Sequence, residues 1–142
     1  MCIRDREWTG RVRAELFVSS TARDTDFIVR VSDVYPDGRS ILLMDYPWRA
    51  RFREGFDREV LMEPDQVYGL AFDVGWVSQV FNAGHRIRVT IASTGAPLYE
   101  PNPQTGRPLT LETPPEPVVA VNSVHHDKRY PSRIVAPLAL GR

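Results

Sequence analysis

The serine in Gly38-Arg39-Ser40-Ile41-Leu42 is this sequence's nearest approach to a nucleophile elbow, the G-x-S-x-G turn that exposes a serine for attack. That turn needs small residues on both sides, and Leu42 stands where the second glycine should be. Ser40 therefore reads as an ordinary hairpin serine. His125-His126-Asp127 has the residue types of a metal site. Adjacent strand residues point to opposite faces, so two neighbouring imidazoles cannot readily share one ion. His85 is the only other histidine. A strand end followed by a turn is the simpler reading. Asp24-Thr25-Asp26 offers two carboxylates, well short of the six to eight oxygens that calcium takes. Turn and cap chemistry accounts for it better, with calcium left open only if backbone carbonyls contribute. Trp48-Arg49-Ala50-Arg51-Phe52-Arg53 interleaves aromatic and basic residues, as some single-strand nucleic-acid surfaces do. Alternation with period two predicts Trp48, Ala50 and Phe52 on a buried face and the three arginines on a solvated one. Stacking and phosphate contact would then lie on opposite sides of a sheet. The arginines remain available to acidic groups on a neighbouring domain.

The totals narrow the partners. A chain of 142 residues predicts one domain with an ordinary core. Eighteen basic residues balance eighteen acidic ones, so no long-range field draws the chain to nucleic acid or to an anionic membrane surface. No apolar run approaches the roughly 18 residues of a membrane span. Cys2 is the single cysteine, which excludes an intrachain disulfide. No residue pattern asks for a cofactor. The expectation is a soluble protein, with the cytoplasm slightly favoured.

Strands must position whatever this chain does. Val12, Ala14, Leu16 and Val18 alternate with Arg11, Arg13 and Glu15, as in a half-buried strand. Phe27, Val29 and Val31 repeat the pattern, and Tyr35-Pro36-Asp37-Gly38 supplies a hairpin turn into the apolar run Ile41 to Met44. Further strands are expected over 48–53, 67–74, 77–81, 118–124 and 132–138. In Gly84 to Ser93, Ile87, Val89 and Ile91 should face inward, with Arg86, Arg88 and Thr90 outward. No segment carries a helical stripe, so the prediction is a sandwich or barrel.

Residues 97–117 hold seven of the twelve prolines and read as a long extended loop over the sandwich surface. Residues 1–7 join no pattern. They are taken as a non-native or unstructured leader, with the domain running over 8–140.

Four stretches in order carry a resemblance. They are Thr9 to Ser19; Asp24-Thr-Asp-Phe-Ile-Val-Arg-Val-Ser-Asp-Val-Tyr-Pro-Asp-Gly38; Val80-Phe-Asn-Ala-Gly-His-Arg-Ile-Arg-Val89; and Asn122-Ser-Val-His-His-Asp127 with Tyr130-Pro-Ser-Arg-Ile-Val135. Over Trp8 to Leu138 the chain resembles the C-terminal domain of X-Pro dipeptidyl-peptidases and cocaine-esterase-like hydrolases. Asp45-Tyr46-Pro47-Trp48 departs from the glycine that relatives tend to show there. The resemblance implies an all-β jelly-roll sandwich of the galactose-binding-like type, joined to the α/β-hydrolase catalytic domain of the same parent chain. The Ser-Asp-His triad of such a parent lies in that other domain, so none of its members transfers to a position here. His85 falls in a non-catalytic block and is not the triad base. The chain alone is expected to be inactive, packing on the catalytic domain and helping to shape its cleft. Trp76, Gln79, Phe81, Pro97 and Tyr99 are the expected contact residues, and homo-oligomerisation is left open. The competing expectation is a free-standing carbohydrate-binding jelly roll, weakened because most aromatics occupy inward positions.

Overall fold

The structure, a computed structural model, describes residues 6–108 and 116–139. Two antiparallel sheets face each other. One is built on β1 (Arg6–Ser20), paired along one edge with β4 (Tyr68–Phe81). Its other edge takes three short strands in succession: β6 (Asn122–His125), β7 (Arg133–Val135) and β8 (Leu138–Ala139). The second sheet has β2 (Asp26–Val34) at its centre, between β3 (Ser40–Arg49) and β5 (Arg86–Ala92). The predicted sandwich is thus observed. Among the described residues the only helical element is one 3-10 turn, Ala50–Phe52, and no helix is long and apolar enough to cross a membrane.

The alternating residues named above build the core. Val12, Ala14, Leu16 and Val18 of β1 meet Phe27, Val29 and Val31 of β2, with Leu70, Phe72 and Val74 from β4. Met44, Tyr46 and Trp48 of β3 close one flank, where the Trp48 ring stacks on Phe72 at 5.0 Å and an interplanar angle of 5°. The hairpin between β2 and β3 is tied by Tyr35 N–H to Arg39 O and Gly38 N–H to Tyr35 O, with Gly38 at φ 92°. Only glycine adopts that φ without strain.

Several expected boundaries move. β1 takes up Arg6 and Glu7, opposite Phe81 and Val80, so the strand reaches into the expected leader; residues 1–5 lie outside the described residues. The segments 67–74 and 77–81 form one strand, because β1 is long enough to template both. Val74 bulges out of register between the pairs Val12–Gly75 and Arg13–Asp73. A bulge shifts the alternation by one residue. Even-numbered Leu70, Phe72 and Val74 face inward before it, and odd-numbered Val77 and Phe81 after it. At the other end of β3 the chain leaves the sheet at Arg49, not Arg53. Residues 118–121 stay outside the ladder, and 132–138 splits into β7 and β8.

Candidate functional site

The most heavily buried polar group begins with the Asp24-Thr25-Asp26 motif. Asp24 Oδ1 accepts from Arg51 N–H at 3.0 Å, and its Oδ2 accepts from Arg51 Nε at 2.9 Å and from Asn102 Nδ2 at 2.7 Å. Asp26 forms a two-pronged pair with Arg49 at 2.8 and 2.9 Å, and its Oδ1 also accepts from Asn102 Nδ2 at 2.8 Å. Arg51 and Asp24 are fully buried. The expectation of a solvated basic face over 48–53 is therefore overturned for all three arginines, since the side chains of Arg49, Arg51 and Arg53 are 21%, 0% and 10% exposed. The 3-10 turn swings Arg51 under the sheet edge, where a charge persists only when paired. The aspartate oxygens are occupied by cations and amide donors, an arrangement that binds the β2 entrance to the turn after β3. Pairing with Asp26 holds the Arg49 guanidinium above its ordinary pKa.

Asn102 was not singled out by type or pattern. Its signal was the setting Pro101-Asn102-Pro103: a proline after it restricts its backbone to extended conformations. Its amide then reaches both aspartates while its own Oδ1 accepts from Gln104 N–H. The described part of the proline-rich loop thus plugs its own sandwich, and 109–115 lies outside the described residues.

Tyr99, further back in that loop, lies over the outer face of β2 and β3. Its hydroxyl donates to Asp45 Oδ1 at 3.0 Å, and Asp45 also pairs with Arg30 at 3.4 Å. Gly95 permits this approach: a Cβ there would meet the Tyr99 ring at 2.8 Å and Arg30 at 2.9 Å. Desolvation and the Asp45 bond push the Tyr99 phenol above its ordinary pKa. A raised phenol pKa means stability that is fully present below about pH 10 and lost as pH rises through the folded value. Titrating tyrosinate absorbance should show a late-ionising component that is lost in Tyr99→Phe. That variant should also lose about 1 kcal/mol at neutral pH, read from urea unfolding.

Two histidines are paired. His85 Nδ1 lies 2.9 and 3.0 Å from the two oxygens of buried Asp33, under the Tyr35 ring at 4.2 Å. This links the turn after β4 to the hairpin at the end of β2. His125 Nε2 lies 2.9 Å from Ser19 Oγ, a serine–histidine contact that sequence spacing did not suggest. No carboxylate hydrogen-bonds the other His125 nitrogen among the described residues. The nearby Asp127 instead accepts from Arg129 and Tyr130 N–H, which holds its carboxyl below the usual range. With no orienting acid, the pair lacks the third element of a hydrolytic triad. His126 is exposed and bridges to Pro131, and Ser40 is exposed at the start of β3. Among the described residues no group of three or more His, Cys, Asp or Glu is placed to hold a metal.

The five expected contact residues do not form one patch. Phe81 is fully buried, its ring edge-on to Trp8 at 5.2 Å, so it serves the core and is unavailable for docking. The β4 bulge is the reason. Gln79 is half-buried and donates weakly towards Asp33 at 3.4 Å. Trp76, on the opposite face, is 72% exposed beside Arg11, whose guanidinium lies 5.2 Å from the ring centre. Pro97 is exposed and Tyr99 half-buried.

The described residues form a two-sheet β sandwich whose buried polar clusters act as internal struts. The sequence narrows the class. Residues 4–135 match the X-Pro dipeptidyl-peptidase C-terminal non-catalytic domain, and the chain belongs to that family. It is 44% identical over 132 residues to cocaine esterase from Rhodococcus sp. (strain MB1 Bresler), covering 93% of this chain and 23% of that protein. Its fold superposes with a TM-score of 0.91 on an aminopeptidase from a marine sediment Thaumarchaeota archaeon, at 32% identity over 98% of this chain and 24% of the other. An α-amino acid ester hydrolase gives the same TM-score at 27% identity, over 96% of this chain and 24% of the other. The chain spans about a quarter of the length of these relatives.

Proposed function

We propose that this chain works as the C-terminal accessory domain of an α/β-hydrolase-type serine hydrolase that cleaves ester or peptide-type bonds. It performs no bond chemistry itself; it packs on the catalytic domain and helps shape the cleft. One observation carries this reading: the match to a non-catalytic domain runs over residues 4–135, while the chain spans only a quarter of its ester-hydrolase and aminopeptidase relatives. Trp76, with the exposed Val80 and Val135 on the same outer sheet face, is the anchor of the packing surface. A large exposed aromatic among charged residues has the anatomy of an interface hot spot. Pro97 and the outer edge of Tyr99 are a second contact.

Reading the coding DNA upstream of Met1 tests the proposal. An open frame entering a G-x-S-x-G elbow, followed by Asp and His, is the expected result; a stop codon directly upstream would sink it. At the protein level, a fluorophosphonate probe should leave the 142-residue chain unlabelled and label the extended protein. Labelling of the short chain would overturn the accessory role.

A further inference from the structure

We propose that the open seam between β5 and the β6–β7 edge is an acceptor for two further antiparallel strands, supplied by the parent chain N-terminal to β1. The inference rests on the accessory-domain reading and adds the place and order of assembly. A jelly roll is an antiparallel ribbon of eight strands wrapped into two sheets, each strand meeting a ribbon partner and a second neighbour created by wrapping. Here the hairpin at 35–39 is the end of the ribbon. β2 pairs with β3, and β1 pairs with β4 along its length, as ribbon partners should. The arm then continues through β5 and the column β6–β8. These meet β2 and β1 only, which are the neighbours made by wrapping. Among the described residues, the ribbon partners of β5 and of β6–β8 are absent. By ribbon order both precede β1, and both belong on the same side of the sandwich.

That side carries the marks of an incomplete core. A groove of 310 Å³ opens there, lined by Leu16, Val89, Ile91, Val124 and Ile134, with His126 and Arg133 at its rim. Val89 should face inward by its alternation, yet it is 39% exposed, and among the described residues no strand pairs with the outer edge of β5. An edge strand beside uncovered apolar side chains invites pairing. The occupant fitting this geometry is a strand pair that presents apolar residues at every second position to the groove.

The experiment compares hydrogen exchange in the 142-residue chain with that of the protein extended upstream by roughly 40 residues or more, enough for two strands and their turns. The expected result is exchange slowed at least about tenfold over Arg86–Ala92 and Arg133–Val135, with β3 and β4 unchanged. Protection appearing instead along β3 or β4, or nowhere, would overturn the proposal. So would protection of β5 in the short chain that disappears on dilution, which would assign the seam to a second copy. Val89→Lys adds a second readout. It should lower the melting temperature of the extended protein by several degrees and leave the short chain nearly unchanged; equal effects would count against a buried Val89. A hydrolase frame upstream with unaltered exchange removes this proposal alone, whereas a closed frame removes the parent reading with it.

Discussion

Arg51→Ala should cost about 3–5 kcal/mol of folding stability, a large part of the 5–15 kcal/mol that a domain of this size holds. The substitution leaves Asp24 fully buried with its main cationic partner gone. It also removes donors to the Arg107 carbonyl and to Glu59. A buried carboxylate without its partner must either stay charged in a poor solvent or take up a proton, and both routes oppose folding. Arg51→Lys should recover only part of the loss. An ammonium cannot place donors at once on Asp24, on Glu59 and on the carbonyl of residue 107, as the guanidinium fork does. Asp24→Asn should fall between, since its amide keeps one acceptor for the Arg51 backbone N–H. Urea unfolding followed by circular dichroism reads the series. A loss for Arg51→Ala below about 1 kcal/mol, the range of an exposed ion pair, would show that this network does not bind the sandwich as described.

Phe81→Ala should also cost about 3–5 kcal/mol, because the ring is wholly enclosed and its removal leaves a cavity against Trp8. Trp76→Ala, five residues away on the same strand, should change stability by only about 0.5 kcal/mol, as befits a largely exposed side chain. The contrast reads out the bulge at Val74. Without it, Phe81 would share the outward face with Trp76's neighbours, and the two substitutions would exchange magnitudes. In the parent protein the ranking for domain association should reverse, with Trp76 the sensitive position.

Alternation of apolar and polar residues was enough to read the sandwich. Val12 to Val18 and Phe27 to Val31 lie on the predicted face, because a period of two is imposed by the strand itself. The turn at Tyr35 to Gly38 was legible for a similar local reason. The absence of a nucleophile elbow was equally a matter of residue types, since no fold can supply a missing glycine. What depended on distant segments could not be read this way. The Val74 bulge exists because β4 must follow the whole of β1, so the inward side of Phe81 was decided by a strand some seventy residues away. Arg49 and Arg51 looked solvated by alternation, but the strand stopped at Arg49 and the next turn carried Arg51 to Asp24, twenty-seven residues upstream. Asn102, Asp33 with His85, and Ser19 with His125 are pairings across 52 to 106 positions, closed only when the sheets stack. Local periodicity determined which elements form and which faces are apolar. Register, bulges and the partners of buried charges were decided by tertiary structure, because they depend on which strand lies opposite and where each strand ends.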